Sequence, residues 1–288
     1  MQKIIVKTFL AILFVFFACE KNTIQDRDGL IIHQEFFTSW VRNFEPLNPA
    51  SIPRWPTSGG IYEPLYIYNH IQTEWVPWLA TDYAWENNNK KLFFTIRSGV
   101  EWSDGKPFTA HDVAYTFNLK KSYPALDTRN SWGYLESVEA VSDTKVEVNF
   151  NRVYVPGFGA IAEQIIIPKH IWSKLEDPLK FSNPNPVGTG PFTEVLRFNS
   201  QIWELGKNPN YWQLGKPHIE KLIFPTFSNN EQTTLALLSG QLDWAGAFIP
   251  AIDRIFVDKD PQHHHYWFRD TGFQHFYIRI TKTLFLVM

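Results

Sequence analysis

The sequence predicts a mixed α/β (α+β) fold, and three stretches carry that reading. Residues 91–121, KLFFTIRSGVEWSDGKPFTAHDVAYTFNLKK, read as a strand, a tight turn and a capped helix in immediate succession. Val138 to Phe150 reads as a β-hairpin, because Val146, Val148 and Phe150 alternate on one face. Ser228 to Gly240 reads as a helix with a cap at one end and a glycine at the other.

Taken in chain order, Leu30 to Phe37 (LIIHQEFF) forms a first strand, followed by the loop Thr38–Phe44 and a Pro-rich segment from Pro46 to Pro56. Leu92 to Ile96 is a β-rich run that stops at Ser98-Gly99. Asp104-Gly105 marks a turn, and Pro107 keeps the chain from resuming a ladder at once. Thr109 with Asp112 three residues later is a variant capping box, so a helix begins near Ala110 with Val113, Phe117 and Ala114 on its apolar face. Ser142-Asp143 supplies the turn of the hairpin. A strand-turn-strand runs from Glu194 to Leu205, and His218 to Phe224 is a further strand. In the last helix Ser228 or Asn229 caps, Leu235 and Leu238 share a face, and Gly240 stands at C′.

At 288 residues the chain exceeds the usual single core, so one large domain or two smaller lobes are expected. The 27 basic and 29 acidic side chains leave a net charge of −2 with no basic stripe, which argues against nucleic acid as a partner. Aromatic residues make up 16 % of the chain, 12 of them Trp. A strand-rich core explains them, and so does a subset that stacks on a ligand.

At the N-terminus, Lys3 and Lys7 precede an uncharged apolar run from Thr8 to Ala18. That is shorter than the about 20 residues needed to cross ~30 Å of hydrocarbon, and it fits a secretory signal instead. The run ends at Cys19, the only cysteine, in a setting that resembles the bacterial lipobox, with Phe16 and Phe17 where a Leu and a small residue are usual. Lipidation of Cys19 would hold the protein on a membrane, since each buried CH₂ contributes ~0.8 kcal/mol. The polar stretch 20–29 then reads as a tether. With one Cys, no disulfide can form within the chain.

Several motifs do not carry chemistry. Gly157-Phe-Gly159-Ala-Ile-Ala162 fits a dinucleotide fingerprint in spacing but lacks the strand-helix context. His263-His264-His265 reads as a solvated loop after Asp260-Pro261, because three adjacent histidines cannot all face one ion on a regular element. Glu63, Asp82, Glu101, Asp104 and Asp112 could be assembled into a hydrolytic pair, making a secreted glycan-active enzyme an alternative, but Asp104 and Asp112 already serve a turn and a cap. No catalytic residue, metal site or cofactor is assigned.

The 91–121 block resembles the signature region of the family 5 extracellular solute-binding proteins, the oligopeptide- and dipeptide-type receptors of ABC importers. Shorter matches stand in the same order: Gly59–Leu65 (GGIYEPL), Pro77-Trp78-Leu79-Ala80 before Trp85, Val187–Phe192 (VGTGPF), Asn208–Trp212 (NPNYW) and the helix end Leu237–Asp243 (LLSGQLD). The resemblance runs from about Leu30 to Ile280. It implies the N-terminal lobe of a two-lobed, type II periplasmic-binding-protein fold that closes on its ligand. On that pattern residues 30–45 with 171–270 form a core subdomain, 46–170 an inserted one, and 271–288 begin a strand crossing to a second lobe, which the sequence given does not include. It further implies capture of peptides and delivery to a membrane permease, with oligosaccharide as the alternative cargo. Its position-based candidates for the ligand cleft are Trp40, Asn43, Phe44, Trp244 and Phe248, each equally explained by core packing. The family's chains continue well past Met288, so a truncated or frameshifted frame, and weak or no ligand binding, are expected.

Overall fold

The computed structural model describes residues 28–33, 36–47, 60–268 and 275–279. The expected leader 1–19 with Cys19, nearly all of the tether, most of the Pro-rich segment and the chain end 280–288 lie outside the described residues. The first elements are strands β1 (Gly29–His33), β2 (Tyr66–Asn69), β3 (Glu74–Pro77), β4 (Ala80–Glu86) and β5 (Lys91–Ile96). Helix α1 (Ala110–Ser122), strands β6 (Leu135–Ser142) and β7 (Lys145–Phe150), and the short helices α2 (Gly157–Ala162) and α3 (Lys169–Trp172) follow. Next come β8 (Phe192–Phe198), β9 (Ile202–Lys207), β10 (Lys221–Pro225), α4 (Asn230–Leu238) and β11 (Trp244–Gly246). The last are α5 (Ile252–Ile255), β12 (His264–Phe268) and β13 (His275–Arg279).

These build a seven-stranded sheet in the order β12-β13-β11-β1-β10-β9-β8, a four-stranded sheet β4-β5-β7-β6, and the hairpin β2-β3. β1 lies between β10 and β11 and runs parallel to both, so β10-α4-β11 is a β-α-β unit that straddles it. The remaining pairings are antiparallel. The largest apolar cluster is continuous between the two big sheets, joining Ile32, Trp203 and Phe224 to Leu92, Phe94 and Val146.

Among the described residues β1 covers Gly29–His33, and Phe36 and Phe37, at the end of its apolar pattern, are not strand. Its partners run out there: Ile31 pairs with Ile223, β10 ends at Pro225, and β11 ends at Gly246. The hairpin turns at Asp143-Thr144, one residue beyond the expected pair, and Val146, Val148 and Phe150 are at most 2 % exposed.

The capping box of α1 forms as expected. Thr109 N–H donates to Asp112 Oδ2 at 2.9 Å, and His111 N–H to Thr109 Oγ1 at 3.3 Å. Asp112 does more than cap: its other oxygen accepts from Lys169 N–H at 2.9 Å, pinning α3 to the start of α1. Burial raises its pKa against these hydrogen bonds. Asp112→Ala leaves two backbone N–H groups without their acceptor, and urea unfolding should show a loss of about 2–4 kcal/mol. Asp112→Asn keeps one acceptor oxygen and should lose less.

The α4 expectation needs correction on its face. Leu235 is 67 % exposed and Leu238 half-buried, whereas Thr233, Ala236 and Leu237 are buried. Ala236 and Leu237 pack with Leu242, Ala245 and Phe256 in a second, smaller core. The helix end is a Schellman motif, with Gln241 N–H donating to Ala236 O at 2.9 Å and Gly240, at φ +71°, donating to Leu237 O at 3.1 Å. The histidine run also differs: His264 opens β12, is 3 % exposed, and stacks on Phe256 with centroids 4.1 Å apart.

Candidate functional site

Open parallel strands bind ligands at their carboxyl ends, where backbone polar groups and loops converge. Here the carboxyl ends of β1, β10 and β11 lie on one side of the large sheet, together with the turn that joins β8 to β9. Phe37 N–H donates to Phe227 O at 3.0 Å, Trp40 N–H to Ser200 O at 2.7 Å, and Gln201 Nε2 to Thr38 O at 3.2 Å. These bonds lace the segment after β1 to the segment after β10 and to the β8–β9 turn.

His33, the last residue of β1, is 1 % exposed, and neither ring nitrogen has a hydrogen-bond partner. Phe36 and Phe227 flank it, each with ring centroids 5.1 Å away. Burial lowers its pKa to about 4, so it is neutral at pH 7. Phe36 and Phe248 expose 42 % and 55 % of their surface at this end of the sheet. Phe248 follows β11 and is held by its N–H, which donates to Asn230 Oδ1 at 3.1 Å.

The five cleft candidates fall into two groups. Trp40, Asn43 and Phe44 lie beside the β8–β9 turn, whereas Trp244 on β11 and Phe248 beyond it lie across β1 and β10. Trp40 is half-buried, edge-on to Trp203 at 5.7 Å, with its indole N–H buried and unpartnered. Asn43 Oδ1 accepts from Glu45 N–H at 3.1 Å, closing a local turn. Phe44 is 2 % exposed and edge-on to Phe198 and Trp203, a core position behind the site. Trp244 is half-buried and pairs with Ile32. His33, Phe36 and Phe227 were not singled out from the sequence; the end of the first strand was their only signal.

A second centre lies at the joint between the two large sheets. Glu63, 3 % exposed, accepts from Trp78 Nε1 at 2.7 Å and the Tyr211 hydroxyl at 3.1 Å on Oε1, and from Trp212 Nε1 at 3.0 Å on Oε2. The two indoles stand edge-on at 5.5 Å. The Arg97 guanidinium lies 4.6 Å over Trp212, and its Nε donates to Trp78 O at 2.7 Å. Burial pushes the Glu63 pKa from 4.5 up to about 7, against the downward pull of its donors. Beside it, Gly190 N–H donates to Ile61 O at 2.9 Å. A Cβ on Gly188 would stand 1.8 Å from Ile61 O, and one on Gly190 2.3 Å from Gly60 O. The short YEPL, PWLA, GTGPF and NPNYW motifs, far apart in sequence, therefore build one joint. Of the carboxylates that could be assembled into a hydrolytic pair, Asp104 meets His170 at 2.8 Å, and Asp112 caps α1 and accepts from Lys169 N–H. Among the described residues, no group of three His, Cys, Asp or Glu is placed to hold a metal ion, and no helix is long and apolar enough to cross a membrane.

A mixed sheet opening on an aromatic-lined end, with a second sheet hung from it, defines one lobe of a periplasmic binding protein. The mannohexaose-bound oligopeptide ABC transporter periplasmic oligopeptide-binding protein of Thermotoga maritima has this architecture, with a TM-score of 0.75, 29 % identity, and coverage of 86 % of this chain and 46 % of that one. The chain belongs to the bacterial extracellular solute-binding proteins, family 5, whose Middle region matches residues 74–285. It is 27 % identical over 234 residues to the nickel-binding periplasmic protein of Escherichia coli, covering 75 % of this chain and 42 % of the relative. It is 28 % identical over 191 residues to the oligopeptide-binding protein OppA of Bacillus subtilis, covering 58 % and 34 %. The chain thus spans less than half the length of each of these relatives.

Proposed function

We propose that this chain is the ligand-capturing part of an ABC importer's extracytoplasmic receptor and that its cargo is a peptide. The observation that carries the reading is the carboxyl end of β1, β10 and β11, where Phe36 and Phe248 present exposed rings and a buried, unpartnered His33 lies between Phe36 and Phe227. Apolar planes with a few unmet polar groups suit an extended peptide, whose side chains need surface and whose backbone needs hydrogen bonds. Similarity to OppA supports peptide as the cargo class. Trp40, Asn43 and Trp244 flank the same end, and Phe44 backs it. In this reading residues 30–45 with 171–270 are the core subdomain, 46–170 the inserted one, and 271–288 lead toward the opposing lobe. A lipid on Cys19 holds the receptor at a membrane beside its permease, and incorporation of labelled palmitate that Cys19→Ser abolishes would test it.

The test is calorimetric titration with defined tri- to nonapeptides, with mannohexaose as the comparison. Phe248→Ala should leave stability within about 0.5 kcal/mol, because the ring is exposed. It should weaken peptide binding by about 1–2 kcal/mol, or about 5- to 30-fold. Saturable binding of the sugar and not the peptides would move the assignment to oligosaccharide. Unchanged peptide affinity in Phe248→Ala would remove this end of the sheet from the site.

A further inference from the structure

A buried carboxylate held by donor hydrogen bonds is penalised in both states, as an anion by desolvation and as an acid by the need for an acceptor, and Glu63 is such a group. Trp78 and Trp212 can donate but not accept. Tyr211 can do both, and it shares Oε1 with Trp78. As an anion, Glu63 accepts all three hydrogen bonds but is a desolvated charge. As an acid it needs an acceptor for its own proton: the Tyr211 oxygen lies at 3.1 Å, and the buried Thr189 hydroxyl stands beside the carboxyl as a second hydroxyl. Burial raises the pKa of Tyr211 as well, so the phenol stays neutral and free to reverse its role. Of the other ionisable groups at the joint, Arg97 is engaged with Trp78 O and the Trp212 face, and Tyr62 with Asn183 Nδ2 at 2.7 Å.

We propose that Glu63 and Tyr211 form a proton-responsive clamp that sets how firmly the β4–β7 sheet is held on the large sheet. On acidification the proton enters at Oε1 or Oε2 and comes to lie between Oε1 and the Tyr211 oxygen. The phenol turns from donor to acceptor, and both indoles keep a neutral carboxyl as partner. The clamp is tighter in the protonated state. A folded pKa near 7 against an ordinary 4.5 means the native state holds the proton more strongly than the unfolded chain. The contribution is therefore fully present below about 4.5 and lost as pH rises through about 7. The device is independent of the cargo and of the peptide assignment.

The experiment is ¹⁵N–¹H NMR of tryptophan-labelled protein from about pH 5 to about pH 8.5, with amide exchange at Gly190. The indole N–H signals of Trp78 and Trp212 should move together with one midpoint near 7, absent in Glu63→Gln. Protection of the Gly190 amide, corrected for intrinsic exchange, should be about tenfold greater at about pH 6 than at about pH 8. Where Glu63→Gln does not fold, Tyr211→Phe serves instead. Its midpoint should rise, because a hydrogen bond to the anion is stronger than one from the neutral acid. Flat indole signals, a shared midpoint near 4.5, or a Tyr211→Phe midpoint that stays or falls would each overturn the proposal.

Discussion

Gly188→Ala is expected to destabilise the protein by about 3 kcal/mol or more, a large share of the roughly 5–15 kcal/mol that holds an ordinary domain folded. The reason is space, not backbone conformation. A Cβ at this position would meet Ile61 O at 1.8 Å and the Ile61 carbonyl carbon at 2.7 Å, and a backbone carbonyl cannot swing aside as a side chain can. Moving it would break the Gly190 N–H to Ile61 O bond and disturb the Glu63 cluster next to it. Gly99→Ala is the contrasting substitution. Gly99 has φ +78° and nothing within 4 Å, so only left-handed strain of about 1–2 kcal/mol applies. Urea unfolding followed by tryptophan fluorescence separates the two. A Gly188→Ala protein within about 1 kcal/mol of wild type would mean the joint is not packed as described.

Lys120→Met should cost about 3–5 kcal/mol. The ammonium, 2 % exposed, sits 2.6 Å from Gln164 Oε1 and 3.2 Å from Asp127 Oδ1, tying α1 to the chain on either side of β6 and β7. Burial lowers the Lys120 pKa despite the pull of Asp127. At Asp127 burial pushes up, but the Trp132 and Ser131 hydrogen bonds and Lys120 together outweigh it, and the net shift is down. Removing the cation strands a buried carboxylate. The loss should shrink in acid, because the depressed Asp127 contributes stability above the ordinary carboxylate range and loses it as pH falls through its folded value. Lys120→Met with Asp127→Asn should recover most of the stability, since no unpaired charge remains. A double variant as unstable as the single one would show that the cost lies in packing around the methylenes.

The acid limb of wild-type stability also contains two opposed groups. His33, lowered to about 4 from 6.5, favours the fold less as pH falls, whereas Glu63, raised to about 7, favours it more. The wild-type curve alone therefore hides both, and the difference between wild type and Glu63→Gln isolates one.

Local signals were read well. The α1 start at Ala110, its capping box, the buried Val113 and Phe117, the hairpin and the glycine end of α4 are each set by contacts within a few residues. The family resemblance was also legible, because its motifs stand as short strings in one order along the chain, and the family model matches residues 74–285. What misled was any reading that needed a partner. Leu235 and Leu238 look like an apolar face, yet α4 turns Ala236 and Leu237 inward because the second core lies on that side. The run after His33 looks like a continuing strand, but β10 ends at Pro225 and Phe36 and Phe37 are not strand. For Phe44 the sequence offers both ligand contact and core packing, and the sheet puts Trp203 and Phe198 against it.

The sequence by itself determined the mixed α/β class, the capped helix, the hairpin and membership of the family, since these depend on short-range hydrogen bonding, periodicity and local strings. Only the tertiary structure decided that β1 lies between two parallel partners, so that His33 and the exposed phenylalanines share one end of the sheet. Only it decided that Glu63 meets Trp78, Tyr211 and Trp212 across as many as 149 residues of chain. Burial and the donors around a carboxylate come from segments remote in sequence, and no window along the chain contains them.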